Sequence, residues 1–296
     1  MIIDVHTHIT PRMPQSLFDA LNRKAFSATT LLRTMDKEGI DKSVVLPLSN
    51  PENRDMYMVA GSLETIRECA KYPDRLIPFY NLDPRGMLCD PKADLGALMR
   101  VFRDAGCQGI GEICANMPIT HTLYQNLFHH AGEEKMPMLF HFTGRTYGAY
   151  GVRDSVHLPG LEKMLKQFPN SIFIGHGPAF WAEMSWDVER LTRESYPKTP
   201  ITKEGRIWQL LDQYPNLYCD VSAGSGYNAL VRTPEKGFEF LKKYSKQILF
   251  GTDRFSPGLP PPPIIALISD ALKNKHITKK DYDNITHLNF NKITRR

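Results

Sequence analysis

Eight short apolar segments, each closed by turn residues, recur along this chain: 2–9, 42–48, 76–82, 108–114, 137–143, 171–177, 217–223 and 247–253. Their starts lie 29 to 46 residues apart, the length of a strand plus the helix that returns the chain for the next one. Segment 120–135 opens on Thr120 as a cap and sets Leu123, Leu127 and Ala131 at helical spacing. Segment 158–168 does the same with Leu158, Leu161, Leu165 and Phe168 before Pro169. Such alternation predicts an α/β fold with a parallel sheet, and eight units in 296 residues match a closed (β/α)8 TIM barrel. An open dinucleotide-binding sheet would want GxGxxG after the first strand, whereas Gly109-Ile110-Gly111-Glu112 falls inside a strand segment.

No internal break divides the chain, so residues 1–296 read as one domain. The unit after the sixth strand is the longest, and 179–204, with Trp181, Trp186 and Tyr196, reads as a small insertion on the barrel face. A helical segment from about 261 to 296 closes the barrel. Composition matters mainly for what it removes. The net charge of +5 is carried entirely by 273–296, which holds seven basic and two acidic residues. A neutral body with one basic segment predicts a solvated helix face, and no nucleic-acid partner. No apolar run reaches the roughly 18 residues of a membrane span, and the start lacks a basic region followed by an apolar one. The five cysteines form no CxxC, so a reducing cytoplasm is expected and neither disulfides nor a cysteine zinc site.

The chemistry sits at strand ends. His6 and His8 are two apart on the first strand and project from one face at its C-terminal end, where barrel active sites are built. Glu112, His141, His176 and Asp253 occupy the matching place on the fourth, fifth, sixth and eighth strands. Ionisable groups inside strands need partners, and a divalent ion would partner all six. Imidazole and carboxylate suit zinc first, with manganese, iron, nickel and cobalt as alternatives.

With DVHTH at the start, FHF on strand five, GHGPAFW on six, DVSAGSG on seven, FGTD on eight and ITHLNFNKI at the end, the chain resembles the amidohydrolase superfamily, in its amidohydrolase-related branch of hydrolases and metal-dependent decarboxylases. The resemblance spans nearly the whole chain. It implies one or two divalent metals at the barrel mouth, with His6, His8, His141, His176 and Asp253 as ligands. Glu112 stands where many relatives carry a carboxylated lysine between two metals, as in the branch with a bridging glutamate. Asp253 and His176 take the catalytic roles, Asp253 as general base and acid, His176 as second-metal ligand or carbonyl polariser.

The reading is a metal-dependent hydrolase acting on an amide, ester or lactone of a small molecule. The alternatives are a mononuclear decarboxylase of an aromatic or unsaturated acid, a metal-dependent nuclease or phosphoesterase with a basic mouth, and a barrel that binds metal without catalysis. The loop 144–157 reads as a mobile lid, with Arg145 and Arg153 as a clamp for a carboxylated substrate. Trp181 reads as a pocket wall beside Phe180, and Arg254, Asp220 and Ser222 are near-site candidates by position. A homo-oligomer is expected from the resemblance.

Overall fold

The computed structural model describes residues 1–53 and 57–294, so Arg295 and Arg296 of the basic segment lie outside the described residues. Eight parallel strands stand at the predicted places: β1 (Ile3–Thr7), β2 (Lys42–Val45), β3 (Leu76–Pro78), β4 (Ile110–Ile113), β5 (Met138–Thr143), β7 (Phe173–His176), β8 (Leu217–Asp220) and β9 (Ile248–Leu249). A ninth piece, β6 (Val152–Arg153), pairs alongside β5 outside this series. The ladders run β1-β2-β3 and β4-β5-β7-β8-β9. Backbone hydrogen bonds join the two sets at both seams. Gly111 N donates to Tyr80 O at 2.8 Å between β3 and β4, and Val5 N donates to Phe250 O at 2.9 Å between β1 and the end of β9. The strands therefore form a ring, the (β/α)8 barrel.

Val44, Ile77, Leu139, Ile174, Tyr218 and Leu249 fill the inside of the ring. Phe140, Phe173, Leu217 and Ile248, on the other face of their strands, pack against the surrounding helices. This alternation is what a two-residue period gives when both faces are buried. Two strands break it. Register shifts between Asp4 and Thr7 on β1, and between Ile110 and Ile113 on β4. Such irregularities re-aim side chains, and here they turn His6 and Glu112 toward the same end of the ring.

The floor is closed by the C-terminal segment. Phe290 and Ile293, on the helix Asn289–Thr294, join the interior cluster, and the Phe290 ring stacks on Phe79 at 6.3 Å. Asn289 pins that helix by donating to Ser245 O at 2.8 Å and Ile248 O at 2.7 Å. The lysines of this segment, Lys273, Lys275, Lys279, Lys280 and Lys292, are exposed.

The helix expected from 120 spans Thr122–Glu133, and its cap is His121 rather than Thr120: His121 Nδ1 accepts from Leu123 N at 3.2 Å. Leu123, Leu127 and Ala131 are buried as their spacing requires. After β7 the chain forms two short turns of helix, Pro178–Trp181 and Ala182–Met184, and then no regular element before the helix Arg206–Gln213. This insertion packs against both ends of the loop after β5, the segment read as a lid, and leaves residues 145–148 exposed. Gly144 N donates to Glu194, Arg193 donates to Asp154 O at 3.0 Å, and the His157 ring stacks on Trp186 at 4.3 Å. Among the described residues, no helix is long and apolar enough to cross a membrane.

Candidate metal centre

All six strand-end residues converge at the C-terminal mouth of the barrel. His6, His8 and Glu112 form one group, His6, His176 and Asp253 a second, and Glu112, His141 and His176 a third, each with ligand atoms within 4.8 Å of one another. His141 and His176 are register partners on β5 and β7, which sets their imidazoles side by side. Asp253 N donates to His6 O at 2.8 Å, tying the eighth strand's end to β1, and Asp253 has φ 59°. That left-handed conformation is uncommon for a non-glycine residue and fits a position constrained by its surroundings.

The hydrogen bonds behind the imidazoles orient them. His6 Nδ1 lies 2.7 Å from Asp220 Oδ2, His176 Nδ1 lies 3.0 Å from the same oxygen, and His8 Nδ1 lies 2.8 Å from Leu46 O. Donation at Nδ1 turns Nε2 toward the mouth, the arrangement that metal-binding histidines use. Asp220 Oδ2 also accepts from Ser222 Oγ at 2.6 Å. Room for it comes from Gly251, where a Cβ would stand 2.4 Å from Asp220 Oδ1.

In front of the imidazoles, His6 Nε2 and His8 Nε2 are 3.1 Å apart. Glu112 Oε2 lies 3.8 and 3.7 Å from these nitrogens, and Asp253 Oδ1 lies 3.5 Å from each. Four ligands about 2.1 Å from a tetrahedral ion stand about 3.4 Å from one another, so these separations fit one divalent cation. Glu112 Oε1 turns the other way, 2.8 Å from His141 Nδ1 and 3.9 Å from His176 Nε2. The two oxygens of one carboxylate thus face two sets of nitrogen donors.

Charge follows the same geometry. Burial would raise the Glu112 carboxyl, but the hydrogen bond with His141 and the charge of the nearby His6 outweigh it and hold it well below the usual carboxylate range. Burial opposes ionisation of Asp253 too, and His6 and His8 reverse the balance. For His6, burial lowers the pKa while Asp253 and Asp220 raise it further, leaving it well above the ordinary imidazole value. Buried carboxylates that stay ionised need compensating positive charge, which protons or divalent ions can supply. Nitrogen and oxygen donors without thiolate suit zinc, manganese or iron, and no cysteine joins these groups among the described residues.

The cavity over the centre holds about 80 Å³, on a floor of His8, Glu112, His141 and Asp253. Its walls are Leu48, Tyr57, Val59, Tyr150 and Phe255. Larger hollows of about 710 and 540 Å³ on the flank touch none of the six strand-end residues. The residues expected to bind substrate are not brought to this cavity. Arg145 is exposed on its loop, and Arg153 lines the flanking hollow and donates to Thr146 Oγ1 at 3.1 Å. Arg254 is buried against Glu38 and donates to Leu259 O at 3.1 Å. Trp181 is fully buried and donates from Nε1 to Asp220 O at 2.9 Å, so it steadies β8 and does not wall the pocket. Tyr57 and Tyr150 were not singled out from the sequence. Tyr150 lay inside the loop assigned to the lid, where nothing local marks it as facing His141.

No family model and no curated protein matches the chain. Solved structures do match over their whole length. An amidohydrolase from Burkholderia multivorans has a TM-score of 0.64 at 10% identity, covering 100% of this chain and 99% of its own. A 4-oxalomesaconate hydratase from Rhodopseudomonas palustris has 0.61 at 17% identity, covering 100% and 96%. A dihydroxybenzoic acid decarboxylase from Polaromonas, solved with manganese and the inhibitor 2-nitroresorcinol, has 0.58 at 14% identity, covering 99% and 96%. At these identities the likeness is one of fold. This protein is a single (β/α)8 barrel whose structural neighbours include amidohydrolases, a hydratase and decarboxylases.

Proposed function

We propose that this barrel is a metal-dependent hydrolase that opens an ester, lactone or amide of a small molecule. The observation that carries the reading is Glu112, whose two oxygens address His6 and His8 on one side and His141 and His176 on the other. A carboxylate so placed could be shared between two divalent ions: His6, His8 and Asp253 would hold one, and His141 and His176 the other. When bound, such ions lower the pKa of water from 15.7 toward about 7 and polarise a carbonyl oxygen.

The chain's own groups then have distinct tasks. Asp253 is the most open of the carboxylates at the centre, its side chain 27% exposed against 5% for Glu112 and none for Asp220. It borders the cavity, where it takes a proton from water on the mouth side and returns it to the leaving group. Asp220 holds His6 and His176 in one tautomer and orientation. The apolar wall excludes bulk water, which strengthens every charge interaction on the floor.

A decarboxylase is the second reading, favoured by the full-length likeness to a manganese-bound decarboxylase. In that case Asp253 would deliver its proton to carbon. The phosphoesterase reading calls for a basic mouth, and the described wall here is aliphatic and aromatic. One experiment separates the first two: zinc- and manganese-loaded protein is assayed for acid release from ester and lactone panels and for carbon dioxide release from hydroxybenzoates. Metal-dependent acid release without carbon dioxide supports the hydrolase. The opposite pattern replaces it with the decarboxylase.

A further inference from the structure

Above its histidine and carboxylate floor, the mouth cavity is apolar. Leu48, Val59 and Phe255 supply aliphatic and aromatic wall, and Tyr57 and Tyr150 meet edge to face with ring centroids 5.3 Å apart. The Tyr150 ring also lies 4.5 Å from the His141 ring, so one aromatic surface runs from the rim down to the ligand set. The volume of about 80 Å³ falls far below the roughly 300–1,000 Å³ of sites for drug-sized ligands. Among the described residues, Arg254 is held by Glu38 and Arg85 by Glu52 and Asp83, away from the cavity, and Arg153 lines the flanking hollow and donates to Thr146. A carboxylate placed against Leu48, Val59 and Phe255 would lose its water and gain no cationic partner among the described lining residues.

We infer that the end of the substrate remote from the ligand set is small, flat and uncharged, and that the wall built on Tyr150 and Phe255 rejects analogues bearing a carboxylate there. The inference rests on the hydrolase reading for its chemistry and on the cavity for its selectivity, and the two can fail separately. It names the substrate class as neutral aryl or alkyl esters and lactones, not the esters of dicarboxylic acids.

The test uses two matched pairs. Zinc-loaded protein is offered phenyl acetate and 4-acetoxybenzoate, which differ only in a distal carboxylate. Binding is measured separately by calorimetry with benzohydroxamate and 4-carboxybenzohydroxamate, which share a metal-binding head. The neutral member of each pair is expected to lead by about tenfold or more, in kcat/KM and in Kd. Phe255 is 46% exposed at the rim, so Phe255→Arg is tolerated by the fold and is expected to narrow both ratios by improving the carboxylated member. Equal or reversed preference in the unaltered protein overturns the inference while leaving the hydrolase standing. Preference in binding with neither ester cleaved keeps the selectivity and removes the hydrolase reading. Failure of both pairs removes both.

Discussion

Asp220 Oδ2 accepts from His6 Nδ1 at 2.7 Å across 214 positions of sequence, and the same oxygen lies 3.0 Å from His176 Nδ1. One buried carboxylate on β8 therefore orients two imidazoles on two other strands. His6 and His176 hold the Asp220 carboxyl below its usual range even though burial alone would raise it.

Asp220→Asn keeps the shape and removes the charge. Outer-shell changes of this kind lower metal affinity by about 10- to 100-fold, and that is the loss expected here in zinc titrations against a competing chelator. Because Asp220 lines no part of the cavity, KM for a substrate at saturating metal is expected to change less than kcat. An unchanged zinc affinity would show that Asp220 does not orient the ligands.

Phe290 tests the separation of floor and mouth. Its ring fills the bottom of the barrel against Phe79, so Phe290→Ala leaves a cavity and should cost about 3–5 kcal/mol in urea unfolding. Zinc affinity of the folded variant is expected to stay within a few-fold of the parent, since the plug and the ligand set lie at opposite ends. Loss of metal without loss of stability would contradict that separation.

Arg85 links Glu52 at 2.6 Å and Asp83 at 2.6 Å, and both carboxyls lie below their usual values because these bonds outweigh their partial burial. Depressed carboxylates stabilise the fold above their unfolded pKa values of about 4, and the contribution disappears as pH falls through the lower folded values. Arg85→Gln is therefore expected to lower the urea midpoint at pH 7, with the gap from the parent closing as pH falls below about 4. A gap that stays constant through this fall would mean that the ion pairs add nothing.

The strands and the ring were legible because an apolar run between turn residues is a local signal, and so was the placing of six polar residues at strand ends. Their aim was less legible. His6 and Glu112 face the mouth through register shifts on β1 and β4 that no spacing in the sequence announces. Asp220 was visible as a strand-end residue, but its partners lie 214 and 44 positions away. The burial of Arg254 was illegible for the same reason: Glu38, which engages it, is 216 positions distant. The loop 144–157 has the composition of a lid, but its contacts with Arg193 and Glu194 come from the insertion, 39 and 50 positions on, and no local signal announces them.

Glu112 between two donor sets is the centre of this account, so metal content tests it most directly. The protein is loaded with zinc, dialysed, and its zinc-to-chain ratio is measured by elemental mass spectrometry for the parent and for Glu112→Gln, with anomalous scattering locating the ions in crystals. Two ions per parent chain flanking the Glu112 carboxylate, falling to one or none in the variant, is the predicted result. A single ion in the parent, unaffected by Glu112→Gln, would contradict it and favour the mononuclear decarboxylase.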